Sequence, residues 1–328
     1  MTIAEASWER ALAVLSEVRA PVLACHIGPD GDALGSMLAL ALGLQARGAA
    51  PIASFSEPFM VPDQYRLLPT QHLTRPQAVP REPEVMVTFD CGSFDRLGTL
   101  EQNARAADTL IVVDHHVTNE DFGEINLIDP EAAASAVIAR ELLARLSVGL
   151  TRDIATCLYT GLVTDTGRFQ YRNTTPEVHH LAAELLAAGA PHDEITTAIY
   201  ATHSVGFLKI AARALERLLV TDEMVWAWIT NEDLTEVGVG LEETDALIDL
   251  VRTAESVDVA LVLKQQPDGS YKASMRSKGA TNVGALCEGF GGGGHALAAG
   301  FMASDQQPGP VAERVAKALA SGTLPPVP

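Results

Sequence analysis

The chain reads as an α/β protein of two domains, a larger N-terminal one built on a parallel sheet and a smaller α/β one behind it, on three observations. Its 328 residues exceed the size that one hydrophobic core serves. The N-terminal half alternates short apolar, β-branched runs with helical stretches, which is the pattern of a parallel sheet covered on both faces. A tract from about Thr175 to Leu219 is almost wholly helical in pattern, and strands return after it. The spacing predicts a first domain over 1–188, a helical connector over 189–219 and a second domain over 220–328.

Taken in order, "PVLACHI", "PIASF", "EVMVTFD" and "TLIVVDHH" read as buried strands, with "ALGSMLALALGLQARG" as the helix after the first. Gly48 ends that helix as a plausible C-cap. "ASAVIARELLARL" and "TRDIATCLYTGLVTD" are helical, and Thr151 can cap the second. "AAGAPHDE" interrupts the long helical tract, and "MVWAWIT" opens the second domain. "VDVALVLKQQPDGSYKASMRS" reads as a hairpin turning at Pro267 to Gly269. "GTLPPVP" at the C-terminus is expected to fray.

Composition excludes several classes. Hydrophobic residues at 47% and charged residues at 20% fit a globular protein and not a disordered one. No apolar run reaches the roughly 18 residues of a membrane span, and the N-terminus carries acid where a secretory leader needs base, so a cytoplasmic protein is expected. Cys25, Cys91, Cys157 and Cys287 are far apart with no CxxC pair, which argues for buried thiols rather than a disulfide framework or a cysteine zinc site. A formal charge of -19 excludes a general nucleic-acid coat, because such binding rests on broad neutralisation of phosphates. A short phosphorylated substrate could still be held through a local basic spot or a cation.

The chemistry concentrates where strands end. His26, Asp30 and Asp32 follow "PVLAC", Asp90 follows "VMVTF", and Asp114, His115 and His116 follow "LIVV"; Asp165 closes a helix. In open α/β sheets ligands bind beyond the carboxyl ends of the strands. Singly, each residue has a bland explanation as a turn former or a hydrogen-bonded core residue. Collected in one cleft they do not, because burying several unpaired ions costs several kcal/mol each and basic residues nearby are too few to offset them. Oxygen-rich sites with some imidazole suit Mn²⁺ or Mg²⁺. Two such ions, roughly 3.5–4 Å apart and bridged by a carboxylate, lower the pKa of a shared water and hold a phosphoryl oxygen. Asp90 is the natural bridge if its strand lies between the other two. "GPDGDALG" lacks the Lys-Ser or Lys-Thr of a P-loop, and "GGGGHALAAG" follows no βαβ pattern of a dinucleotide site.

"HIGPDGDALGS", "VTFDCGSFDRLG", "VVDHH" and "GLVTDTGRF" resemble, in order, the four motifs of the DHH phosphoesterases, and "SMRSKG" with "GFGGGGHALAAGF" resembles the signature of the DHH-associated C-terminal domain. The resemblance implies a DHH domain with two manganese ions, magnesium being the second choice, and a substrate-gripping domain across an active-site cleft. Carried over position by position, His26, Asp30 and Asp90 would hold one ion, and Asp32, Asp90, His115 and Asp165 the other. His116 would face the scissile phosphate, oriented by Asp114. In the second domain Arg276 would clamp a phosphate bidentately with Ser277 as a further donor. The glycines from Gly291 to Gly294, among them Gly292, Gly293 and Gly294, would bring backbone N–H groups to an anion, with His295 at the mouth of the following helix.

The compact chain, with no appended nucleic-acid module, is closer to the short oligoribonuclease and 3′-phosphoadenosine 5′-phosphate phosphatase branch than to the long exonucleases. The expected substrates are very short RNA or DNA oligonucleotides and small phosphorylated nucleotides, linear or cyclic dinucleotides included. Pyrophosphate or polyphosphate hydrolysis is the enzymatic alternative, and a silent nucleotide sensor or interaction module the non-enzymatic one. The apolar helices also leave room for a homodimer.

Overall fold

The computed structural model describes residues 3–255 and 257–322, so the tail expected to fray lies, past Gly322, outside the described residues. The chain forms two compact units, Met1–Thr202 and His203–Pro328. The connector expected over 189–219 is therefore divided, because each of its helices buries its apolar stripe in a different core. Ile195 packs with the first unit, and Phe207, Ile210, Ala211 and Ala214 pack with the second.

The first unit runs α1 (Glu5–Glu17), β1 (Val22–Cys25), α2 (Gly31–Ala46), β2 (Ile52–Phe55), β3 (Val85–Phe89), α3 (Glu101–Arg105), β4 (Thr109–Asp114), β5 (Ile125–Ile128), α4 (Ser135–Arg145), α5 (Arg152–Asp165), α6 (Pro176–Ala187) and α7 (His192–Thr196), then a π-helical turn, Thr197–Ala201. The sheet is wholly parallel in the order β2-β1-β3-β4-β5. Alternate strand residues feed two cores, as the period of two requires. Leu23, Phe55, Val87, Ile111 and Leu127 pack under α1, α2, α4 and α5. Val22, Ala24, Met86, Leu110 and Val112 pack under α3 and the 3₁₀ turn Phe94–Leu100.

Two local choices aim this unit at its site. β3 is the central strand with β1 and β4 beside it, so His26, Asp90 and Asp114 emerge side by side at one sheet edge. Helix α2, buried nearly all round, lies against α5 at glycine contacts. A Cβ on Gly35 would meet the Cys157 carbonyl at 2.3 Å, and one on Gly161 would meet Asp32 Oδ1 at 2.6 Å. That closeness brings the N-terminal turn of α2 to the C-terminal turn of α5. Thr151 caps α5 by accepting from Ile154 N–H, and Gly48 takes a positive φ just past α2, both as the sequence predicts.

The second unit runs α8 (Val205–Glu216), β6 (Leu219–Val220), β7 (Met224–Ile229), α9 (Asn231–Val237), α10 (Leu247–Val251), β8 (Val259–Gln265), β9 (Tyr271–Ser277), α11 (Val283–Glu288), β10 (Gly293–His295), β11 (Ala298–Ala303) and α12 (Pro308–Ala320). Its mixed sheet has the order β10-β11-β9-β8-β7-β6, with only β7 and β8 parallel. The β8–β9 hairpin turns where expected, Gly269 N–H donating to the Gln266 carbonyl at 2.9 Å. The glycine run departs from expectation. It leads into the β10–β11 hairpin and no helix follows His295, because β11 pairs along β9 and buries Ala299, Phe301 and Ala303 on the core side. Among the described residues no helix is long and apolar enough to cross a membrane.

Candidate active site

Each side chain at the C-terminal edge of the first sheet is held by its local backbone. Asp30 is the N-cap of α2, its Oδ1 accepting from Asp32 and Ala33 N–H at 3.0 Å each, as a cap should. His26 lies within reach: its Nδ1 donates to the Ile27 carbonyl at 2.9 Å, which leaves Nε2 3.7 Å from Asp30 Oδ2 and 3.5 Å from Asp90 Oδ2. His115 repeats the arrangement. Its Nδ1 faces the Ala132 carbonyl at 3.1 Å, and its Nε2 stands 3.1 Å from Asp165 Oδ2 and 3.5 Å from Asp90 Oδ1. An imidazole whose outer nitrogen is tied to a carbonyl and whose inner nitrogen meets carboxylates is prepared as a metal ligand.

Asp90 stands between the two histidines. It has a positive φ of 56°, a region Asp tolerates better than most residues, and its N–H donates to the Val113 carbonyl of β4. Burial would raise its carboxyl, but His26, His115 and His116 hold it well below the usual range. Asp32, fully buried, accepts from Ser36 Oγ at 3.0 Å and from Ser135 and Ala136 N–H, the first turn of α4, at 2.6 and 2.9 Å. Burial with Asp165 and Asp90 as neighbours pushes its carboxyl well up. Burial likewise pushes Asp165 up to about 6, against the pull of His115. A crowd of acids that raise one another in this way is what a divalent cation relieves.

Among the described residues, His26–Asp30–Asp90 and Asp32–Asp90–His115 form ligand triads, each with its ligating atoms within 4.8 Å of one another, and Asp90 also groups in this way with Asp114 and His116. They share Asp90, so the donor set, carboxylate oxygens with two imidazoles, fits a pair of Mn²⁺- or Mg²⁺-like ions. His116 sits beside them. Its Nδ1 is 2.7 Å from Asp114 Oδ1, and Asp114 is buried, accepting also from His115 N–H and Asn119 Nδ2.

Sequence reading missed three residues. Ser135 Oγ donates to Asp90 Oδ1 at 3.1 Å; Asn119 ties Asp114 to the Cys91 carbonyl; Asn173 Nδ2 joins the carbonyls of Ala133 and Asp165. Each is a single polar residue in a loop or at a helix start, and no local pattern marks it.

In the second unit Arg276 is half-buried, its Nη1 donating to the Met275 carbonyl and its Nε 3.8 Å from Asp249 Oδ1. Ala298 pairs with Arg276 on one side and His295 on the other, which sets these two cation-capable groups on one sheet face either side of a small residue. Gly292 serves packing, since a Cβ there would lie 2.1 Å from the Gly300 carbonyl, whereas Gly293 faces open space and Gly294 takes a φ of 139°. Ser277 corrects the sequence reading. It is buried, its hydroxyl donates to Asp258 Oδ2 and accepts from Gly279 and Thr281 N–H, so it braces the loop after β9 instead of facing an anion.

Comparison with known proteins bears on both units. The DHH family N-terminal domain matches residues 22–162, and the DHHA1 domain matches residues 209–321. The chain is 32% identical over 320 residues, 93% of this chain and 91% of the other, to the bifunctional oligoribonuclease and PAP phosphatase NrnA of Thermus thermophilus. An exopolyphosphatase-related protein from Bacteroides fragilis shares the fold, with a TM-score of 0.88 at 24% identity over 96% of this chain and 97% of that one. RecJ from Thermus thermophilus in complex with Mn²⁺ shares it more distantly, with a TM-score of 0.53 at 17% identity over all of this chain and 56% of that one. With the acidic and histidine motifs converging at one sheet edge and the arginine and glycine motifs paired on one sheet face, the chain belongs to the DHH phosphoesterases that carry a DHHA1 domain.

Proposed function

We propose that the protein hydrolyses short RNA oligonucleotides to nucleoside 5′-monophosphates, and 3′-phosphoadenosine 5′-phosphate to AMP, with two divalent cations, Mn²⁺ before Mg²⁺. The observation that carries the reading is the split of Asp90: Oδ2 stands 3.5 Å from His26 Nε2, and Oδ1 stands 3.5 Å from His115 Nε2. One carboxylate thus serves two triads, which a lone structural ion does not require. His26, Asp30 and Asp90 would hold one cation, and Asp32, Asp90, His115 and Asp165 the other. Bound there, the pair supplies an acidified water and a Lewis acid for the phosphoryl oxygen.

The remaining groups are the chain's own. Asp114 orients the His116 ring through Nδ1, and, against the pull of burial, the carboxylates of Asp114 and Asp90 favour its imidazolium form, in which Nε2 would donate to the phosphate or to the leaving oxygen. Arg276 and His295 grip the terminal phosphate, the guanidinium supplying a bidentate contact that discriminates a phosphate end from the rest of a strand. The substrate choice is supported by the similarity to NrnA, and the choice of a divalent cation by the RecJ fold relative, which is described with Mn²⁺ and with Mg²⁺ alike.

Product analysis tests it. With Mn²⁺ the enzyme should convert a 5′-phosphorylated two-nucleotide RNA wholly to nucleoside 5′-monophosphates and release phosphate from 3′-phosphoadenosine 5′-phosphate. Turnover confined to pyrophosphate or polyphosphate would replace this substrate class with another. No turnover of any of these would leave a binding protein.

A further inference from the structure

We infer that Lys272 and Met302 form a second substrate subsite on the sheet of the second unit, one that takes the nucleotide beyond the terminal one; the inference rests on the reading of short RNA as substrate. The sheet is covered unevenly. On the face that carries Ala260 and Val262, helices α8, α9 and α10 pack over β7 and β8. On β9 and β11 the same face is left partly or fully exposed, with Lys272 and Met302 the exposed pair.

Register lays this open half out in rows. The first is His295–Ala298–Arg276, the second Gly293–Gly300–Ser274, and the third Met302–Lys272–Lys264. Rows lie two residues apart along the strands, so the first and third are separated by about 13 Å. A nucleotide with both phosphates on one ribose does not span that distance from the Arg276 row, whereas a strand of two or more nucleotides does. The middle row has no side chain larger than serine, which leaves a floor for a sugar or base, and Met302 gives an adaptable apolar contact at its far end.

The third row also breaks a local rule. Lys264 and Lys272 are direct cross-strand partners, and like charges opposite each other destabilise a sheet. Asp245 neutralises Lys264, which is buried, but among the described residues Lys272 has no ion pair. The chain has only five lysines, all in the second unit, so this pairing is not a by-product of a lysine-rich surface. Local violations of this kind are expected at functional positions.

Steady-state kinetics on RNAs of two and three nucleotides and on 3′-phosphoadenosine 5′-phosphate separate the possibilities. Lys272→Ala should raise KM for the trinucleotide about tenfold with kcat unchanged, and leave KM for the bisphosphate within about twofold. The slope of log affinity against log salt for the trinucleotide should fall by about 0.7. Lys272→Arg should restore both. The melting temperature of Lys272→Ala should not fall, since a like-charge contact is removed, and that confirms folding. Equal effects on trinucleotide and bisphosphate, or no effect on either, overturn the subsite. A wild-type enzyme that turns over neither RNA overturns the underlying reading instead.

Discussion

Replacing Ser135 with alanine isolates one hydrogen bond to the bridging carboxylate. Ser135 Oγ donates to Asp90 Oδ1 at 3.1 Å with both residues buried, while the Ser135 backbone N–H to Asp32 is untouched by the substitution. A hydrogen bond to a charged group contributes about 1.5–3 kcal/mol. Asp90 keeps His26, His115 and His116 around it, so the lower end applies, about 1.5–2 kcal/mol. That corresponds to an increase of about 10- to 30-fold in the Mn²⁺ concentration for half-maximal rate, within the span seen when groups orienting a metal ligand are removed. The assay is rate against free Mn²⁺ on a two-nucleotide RNA for both proteins. The maximal rate at saturating metal should stay within a few-fold. A half-saturation point unchanged within twofold would refute the argument that the hydroxyl positions Asp90.

Arg276→Ala should raise KM by at least about tenfold with kcat largely kept, and Arg276→Lys should recover only part of the loss, because an ammonium cannot make the planar two-point contact; unchanged substrate affinity would remove Arg276 from the grip. Stability has its own pH signature in the second unit. Burial alone would raise the Asp233 carboxyl, but Arg217, Thr230 and Arg213 hold it well below its usual range, and Asp233 also closes the capping box of α9. A depressed folded pKa gives a contribution that is complete above the unfolded value, near 4, and lost as pH falls below it. Asp233→Asn should therefore cost about 2 kcal/mol at pH 7, with the gap to wild type closing in thermal melts toward pH 3. A gap independent of pH would contradict the ion-pair assignment.

Much of this was legible in the residues because the chemistry lies at strand ends. Short, continuous apolar runs located β1, β3 and β4, and the acids just after them could only face the sheet's carboxyl edge, where the structure gathers His26, Asp90 and His115. Asp165 needed tertiary information, since its proximity to Asp32 depends on α2 and α5 approaching at Gly35 and Gly161. The glycine run misled for the opposite reason. "GGGGHALAAG" has helical alanines after it, and only pairing of β11 with β9 makes it a strand, a case of tertiary context overriding propensity. Ser277 failed because a hydroxyl beside an arginine looks like an anion site until Asp258 is seen to claim it. The divided connector reflects which core each helix meets, and helical periodicity does not carry that information.

If Asp90 joins two cation sites in one, its loss empties both. Metal content after equilibration with Mn²⁺ and desalting, measured by elemental analysis on wild type and Asp90→Ala alike, tests it most directly. The wild-type chain should hold two manganese ions, and the variant should retain neither at stoichiometric level and lose nearly all turnover. One ion or none in the wild type, or two ions and near-normal rates in Asp90→Ala, would contradict it.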